Sequence, residues 1–309
     1  MSMKKLLALV ALVLGVVSCQ TESDGIDVSL GGEVDAIVNV TIPETRSNSA
    51  LGAFDNVDFT LYSVRYILDV YYEGTRIERL VNYTDTSSTS FGVRLAPGRA
   101  YKFVVWADVV EGEGDLHYNT SDLANITLNG DWLAMDETRD AFTGSIDVAN
   151  YSSDSTLSIT LKRPFAKLRV VTTDLEDLAK LGITPVKARV EYTTGHRASF
   201  NALTGVAGDV TIAAGKTHQF DIASYDDAGV LFTDYFFATD DVVKFNMEVM
   251  EADGTRISLT EFITDIFVKR NHLTTIKGRI LTETNNLSVV IEDAFDGSVD
   301  NNVDTGEVA

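Results

Sequence analysis

Runs of two-residue alternation limit what this chain can fold into. Val34, Ala36, Val38, Val40 and Ile42 share one parity, with Asp35, Ile37, Asn39 and Thr41 on the other. Tyr101, Phe103, Val105 and Ala107 alternate with Lys102, Val104 and Trp106. Leu157, Ile159 and Leu161 alternate with Ser158 and Thr160, Ala166, Leu168 and Val170 with Lys167 and Arg169, and Phe245, Met247 and Val249 with Asn246 and Glu248. Leu287, Val289 and Ile291 close the series. Successive side chains of a strand point to opposite faces, so each run predicts a half-buried strand. Glu73-Gly74, Pro97-Gly98 and Asp253-Gly254 separate neighbouring runs, and glycine supplies the positive φ of tight turns. Many short strands joined by such turns predict an all-β chain of antiparallel sandwiches.

One helix is expected. Thr173-Asp174-Leu175-Glu176 reads as a capping box, Leu175, Leu178 and Leu181 follow at helical spacing, and Gly182 can end the helix. A weaker helical turn is expected near Ser121-Asp122-Leu123. The polar stretches Glu111–Thr120 and Asn129–Thr138 read as loops. Pro164 breaks the strand pattern and marks a boundary. The expected organisation is a signal over 1–18, a tether over 19–25, β-sandwich domains over 26–163 and 164–295, and an acidic tail over 296–309.

The start of the chain has a different pattern. Lys4-Lys5 precede an apolar run from Leu6 to Val17, and Ser18 then precedes Cys19, the one cysteine of the chain. A basic head, a short apolar core and a small residue before the cut make a secretory signal. The run is too short to span a ~30 Å hydrocarbon layer comfortably. Val16-Val17-Ser18-Cys19 resembles a bacterial lipobox, which implies cleavage before Cys19 and lipidation of its thiol and new amino group. The lipid would then be the anchor to the outer membrane, and everything downstream extracytoplasmic.

Forty-six acidic residues against 25 basic ones leave a net charge of −21. Such a surface repels nucleic acid and excludes phosphate-backbone binding. The four histidines, His117, His196, His218 and His272, have no metal-ligand spacing and read as ordinary exposed side chains. No Gly-x-Ser-x-Gly elbow, phosphate-cradling glycine loop or His-Glu-x-x-His occurs. No catalytic, cofactor or metal site is therefore assigned, and no enzyme is expected. Asp293–Asp304 lacks the EF-hand spacing and reads as a solvated tail. Trp132 could stack on a sugar ring but reads better as packing over a loop.

Arg46 and Ser47 lie within Ile42-Pro43-Glu44-Thr45-Arg46-Ser47-Asn48-Ser49-Ala50, a small, polar stretch after a clean strand. Segments of this kind are where proteases cut. The bland alternative is a surface linker.

The lipobox, the strand ending in Pro43-Glu-Thr-Arg46, and the blocks Leu95–Asp108, Asp140–Gly144, Arg163–Leu168 and Asn271–Gly278 together resemble the fimbrillin-like lipoproteins of the Bacteroidetes, the type V pilus subunits. The resemblance implies two transthyretin-like sandwiches and a place at the cell surface or in a fimbrium, with a role in adhesion. It also implies that an arginine-specific protease cuts between Arg46 and Ser47. The strand within Ile26–Ile42 then leaves, and other pilus subunits donate a strand to the open groove. The acidic, glycine-bearing residues after Ile291 make a poor apolar donor, which favours an anchor, tip or accessory role. The alternative is an anchored surface lipoprotein that binds glycan or another ligand.

The lipidation reading is tested by radiolabelled palmitate. Label should enter the wild-type chain and be absent from Cys19→Ser; label retained in that variant contradicts a lipid on Cys19.

Overall fold

The expected turns close as their glycines require. Glu73 and Gly74 both take positive φ (48° and 77°), and Gly98 and Gly254 do likewise at 77° and 88°. These are the conformations of tight hairpin connections. The computed structural model describes residues 32–43, 54, 57–130, 134–209, 211–222, 229–282 and 287–293. Cys19, Arg46, Ser47, Trp132 and the 296–309 tail lie outside the described residues.

In chain order the first half carries β1 (Val34–Thr41), β2 (Ser63–Tyr72), β3 (Thr75–Thr84), β4 (Ser88–Leu95), β5 (Arg99–Val110), β6 (Tyr118–Asn119), β7 (Ile126–Leu128), β8 (Ala141–Tyr151) and β9 (Ser155–Thr160). The second half carries β10 (Phe165–Thr172), helix α1 (Leu175–Lys180), β11 (Lys187–Tyr192), β12 (His196–Arg197), β13 (Ser199–Asn201), β14 (Val206–Ala207), β15 (Thr211–Ile212), β16 (Thr217–Asp221), β17 (Val230–Phe237), β18 (Asp240–Met250), β19 (Arg256–Lys269), β20 (His272–Gly278) and β21 (Leu287–Asp293). The described residues from Glu33 on belong to one compact unit.

The architecture is the expected pair of sandwiches with one short helix in the second. Sheet β4-β1-β9 packs on sheet β3-β2-β5-β8. Sheet β15-β12-β17-β10-β20-β21 packs on β16-β11-β18-β19. A fifth sheet, β14-β13-β7-β6, takes two strands from each half. Among the described residues, two strand pairs depart from antiparallel order: β1 with β9, and β10 with β20, run parallel. Both are long-range crossovers, the only way to set two parallel strands side by side.

A third apolar core lies between the two sandwiches. Ile67, Val104 and Trp106 leave the far face of the β2–β5 sheet to meet Tyr118, Ile126, Phe165, Phe200 and Phe237. This accounts for the second apolar parity already visible in Val104 and Trp106. The stretches expected as loops are drawn into this region. Tyr118 is fully buried in β6, and a 3-10 turn at Glu137–Arg139 carries two buried charges.

Those charges are paired. Arg163 binds Asp140 through Nε (2.8 Å) and Nη2 (2.6 Å) and lies 4.5 Å over the Phe142 ring. Lys167 Nζ is 2.8 Å from Glu137. Arg139 Nη1 is 2.8 Å from Asp234, which also accepts from the Tyr192 hydroxyl at 2.6 Å. The Arg163 amide donates to Asn271 Oδ1 (3.0 Å), and the Asn271 amide to the Phe165 carbonyl (2.6 Å). Three of the four sequence blocks that carry the family resemblance therefore meet at this junction.

The helix is corrected in detail. Its N-cap is Asp174, and no side chain closes the expected capping box. Asp174 instead turns inward, accepting from the amides of Leu281 (3.1 Å) and Thr282 (2.8 Å) and from the hydroxyls of Thr172 and Thr282. Burial pushes its pKa up, but these donors outweigh burial and hold it below the ordinary carboxylate range. Leu178 is buried, whereas Leu181 is 71% exposed, because the chain turns away at Gly182 (φ 73°). The segment expected as a second helical turn, 121–123, forms only a turn before β7.

Removing one member of a buried ion pair strands the other, at a cost of about 3–5 kcal/mol. Asp140→Ala should therefore lower the stability measured by urea unfolding by about that much. The double variant Asp140→Leu/Arg163→Met should recover most of the loss, since no charge is then left unpaired. A loss below ~1 kcal/mol in the single variant would contradict the assigned role.

Candidate functional site: the first strand and the slot it fills

β1 is built from small and β-branched residues, which suit a pleated, half-buried surface. Its alternation places Ala36, Val38 and Val40, with Ile42 just beyond the strand, fully inside the first core. Asp35, Ile37, Asn39 and Thr41 face outward, and Ile37 is 48% exposed.

The strand is paired along both sides. Antiparallel to it, β4 matches Val34–Thr41 with Leu95–Ser88, and Val38 stands opposite Phe91 and Ala36 opposite Val93. Parallel to it, β9 matches Ala36–Thr41 with Ser155–Thr160, setting Val38 beside Leu157 and Val40 beside Ile159. Both ends are tied down. The Asp35 amide donates to Asp154 Oδ1 (2.8 Å), and the Tyr151 hydroxyl donates to the Asp35 carbonyl (2.9 Å). At the far end the Ile42 amide donates to the Ser87 carbonyl at 2.8 Å.

What holds β1 is therefore main-chain pairing and aliphatic burial. Burying Val38, Val40 and Ile42 contributes about 1.5–3 kcal/mol each. The one ion pair at its margin among the described residues, Glu33 with Arg94 at 3.8 Å, is exposed on both sides and worth little. Without β1, facing rows of N–H and C=O groups on β4 and β9 would lose their partners, and an apolar trench would open beneath.

β10 is the counterpart in the second sandwich. It lies between antiparallel β17 and parallel β20, as β1 lies between β4 and β9. It is held differently, because Lys167 on β10 itself and Arg163 just before it are clamped by buried carboxylates. The two central strands are topologically alike; β1 has no buried ionic clamp among the described residues, and β10 has one.

Toward the other end of the chain, β21 pairs among the described residues with β20 alone and is an edge strand. Its residues 287 and 289–292 are half-buried, so it is the less enclosed of the terminal strands.

The histidines differ from expectation. His196 is buried and His117 partly so, both inside aromatic surroundings. Among the described residues no three His, Cys, Asp or Glu side chains are grouped to hold a metal ion. The lipidation residue Cys19 and the processing pair Arg46 and Ser47 fall outside the described residues, so the structure speaks only to the strand between them.

No curated protein matches the chain. Residues 25–309 match a protein family described as a family of unknown function, DUF6562. Among solved structures, a candidate cell adhesion protein from Bacteroides uniformis aligns with a TM-score of 0.51 at 11% identity, covering 85% of this chain and 98% of its own. A fimbrial assembly protein from Parabacteroides distasonis aligns at 0.47 and 13% identity (84% and 96% covered). The fimbrial anchor protein Mfa2 from Porphyromonas gingivalis aligns at 0.42 and 11% identity (84% and 97% covered). The first of these shares the fold, in line with the resemblance read from the sequence.

The register of β1 makes opposite predictions for adjacent residues. Val38→Ala should cost about 2 kcal/mol of unfolding free energy, because it empties volume between Phe91 and Leu157. Ile37→Ala, one residue away, should stay within about 0.5 kcal/mol. Equal costs at the two positions would contradict the register.

Proposed function

The chain belongs to the DUF6562 family, whose function is unknown, and we propose that it is a fimbrillin-like lipoprotein of the bacterial cell surface, assembled into or onto a pilus by strand exchange. In this reading Cys19 carries the lipid that holds the precursor to the outer membrane. An arginine-specific protease cuts between Arg46 and Ser47. The piece that leaves carries β1, and a strand from another subunit takes its place.

The position of β1 carries the proposal. It is the middle strand of its sheet, it fills a continuous apolar row, and the expected cut lies a few residues past its end. A departing edge strand would leave only one unpaired row. A departing middle strand leaves two rows and a trench, which an extended peptide of alternating apolar residues repairs at once. A strand passed head to tail between copies does not close on itself, so the product is a fibre. Phe54, after the expected cut, is buried against Phe59 and Phe142 and would stay behind to line the slot.

The candidate donor is β21, held on one side only. Leu287, Val289 and Ile291 supply an alternating apolar row, but Glu292 and Asp293 follow at once. The usable row is shorter than the one β1 fills, which fits an anchor, tip or accessory subunit better than a repeating stalk unit. The shared fold with a candidate cell adhesion protein agrees with a role in adhesion. The partners in this reading are other pilus subunits, the protease and the membrane; nucleic acid is excluded by charge.

Treatment of the purified mature protein with an arginine-specific protease should give one early cut after Arg46, release of the β1 fragment, and oligomers or complexes whose size rises with concentration. Arg46→Ala should remain intact and monomeric, and a peptide spanning residues 33–43 should block assembly. Cutting that leaves the fragment bound and the protein monomeric would overturn the proposal.

A further inference from the structure

The slot that β1 fills has a built feature at one end. The pairing of β1 with β9 starts at Ala36 opposite Ser155. One residue earlier, the N–H and C=O of Asp35 point to that same edge, as both main-chain groups of a strand residue do. Side chains of the β8–β9 crossover meet them there. Asp154 Oδ1 accepts from the Asp35 amide at 2.8 Å, and the Tyr151 hydroxyl lies 2.9 Å from the Asp35 carbonyl. Tyr151 is buried at the edge of the first core. Its hydroxyl also lies 3.1 Å from the Ser155 carbonyl and accepts from the Ser155 hydroxyl at 2.9 Å. Those two contacts do not depend on β1, so the hydroxyl is held in place by its own crossover. Neither Tyr151 nor Asp154 touches a β1 side chain through these bonds; what they read is main chain.

The next residue, Ala36, is wholly buried between Val93 on one side and Ser155 on the other. Beyond it Val38, Val40 and Ile42 fill the rest of the row. A close-packed interior takes a larger side chain at such a position only by displacing its neighbours. These two features matter because parity alone leaves the register open. A one-residue slip would turn the apolar row outward, and burial forbids it. A two-residue slip keeps every apolar residue on the inner face and every ladder bond possible. What resists that slip is the end of the slot, where the Asp35 main chain is held and the buried side chain is small.

We infer that Tyr151 and Asp154 form a main-chain clasp that sets the register and direction of a strand entering the slot, and that among alternating aliphatic strands the slot favours one with a small residue just past the clasp. The inference rests on the strand-exchange reading and names the partner of that same site. Direction follows from the order of the groups. A strand entering in the opposite sense would set a carbonyl against the Asp154 carboxylate, two acceptors with no proton between them. The partner that fits is an extended segment running as β1 does, with a small residue and then aliphatic residues at the next three alternate positions. The β21 strand of a second copy fits less well. With Leu287, Val289 and Ile291 in the places of Val38, Val40 and Ile42, Asn285 takes the place of Ala36, and burying an unpartnered amide is costly. A strand from a different subunit, with alanine, glycine or serine at that point, is the better occupant.

Peptide uptake by the mature protein cut after Arg46, at a concentration too low for assembly, tests this by fluorescence anisotropy. A labelled peptide of residues 33–43 should bind. The same peptide carrying Ala36→Leu should bind at least about tenfold more weakly, and one carrying Ile37→Leu, on the exposed face, within about twofold of the native peptide. A peptide with the native residues in reverse order, which must enter in the opposite sense to seat the same side chains, should also bind at least about tenfold more weakly. In the protein, Tyr151→Phe with Asp154→Ala should weaken the native peptide about tenfold and narrow its advantage over the reversed one. The peptide comparisons use the unaltered protein and stand even where the double variant folds poorly. No uptake of the native peptide would overturn strand exchange and this inference with it. Native uptake with the Ala36→Leu and reversed peptides bound equally well, or native binding unchanged in a folded double variant, would overturn the inference alone.

Discussion

A strand flanked on both sides must satisfy two rows of backbone groups and one row of apolar side chains together. β1 does so with main-chain bonds and four aliphatic residues, Ala36, Val38, Val40 and Ile42. The first sandwich depends on it: among the described residues β4 and β9 are joined in their sheet through β1, and the trench under that sheet is closed by its side chains. Any segment of eight or so residues with alternating aliphatic character could meet the same requirements. Between β4 and β1 one side-chain bond adds to this, from the Ser90 hydroxyl to Asn39 Oδ1 at 3.0 Å on the exposed face.

The second sandwich uses the same strand arrangement with a different kind of restraint. Its central strand β10 is fixed by Lys167 to Glu137, and the residue entering it by Arg163 to Asp140, all buried. Burying charges is costly unless they are paired, and pairing fixes geometry in a way aliphatic packing does not. The junction, with Arg139 on Asp234 and Asn271 bridging Arg163 and Phe165, therefore carries side-chain restraints that β1 lacks among the described residues. The proposed reading needs a molecule that opens in one place and holds elsewhere, and the two central strands differ in that sense.

Much of this was legible in the sequence, for reasons that can be named. Alternation exposed β1, β5, β9, β10 and β18, because a strand with one dry face writes its parity into its residues. Val104 and Trp106 are apolar on the second parity of β5, but the run reads as half-buried, and only the residues brought from the other half show that this face is covered. The buried charges of the 137–140 segment were not legible. Glu137, Arg139 and Asp140 look like a solvated loop until Lys167, Asp234 and Arg163 are brought to them from elsewhere in the chain. His196 was misread for the same reason, since its burial depends on Tyr192 and Phe236. The capping box failed because Asp174 found better donors at Leu281 and Thr282, more than a hundred residues away.

Hydrogen exchange measured by mass spectrometry on the chain cut after Arg46 tests the account most directly. With the β1 fragment removed, and at a concentration too low for assembly, amides of β4 (Ser88–Leu95) and β9 (Ser155–Thr160) should lose protection, while those of β10 (Phe165–Thr172) and β17 (Val230–Phe237) keep theirs. Adding a peptide of residues 33–43 should restore protection to β4 and β9. Unchanged protection in β4 and β9 after the fragment has gone, or loss spread equally over both sandwiches, would contradict a replaceable strand set in a locked frame.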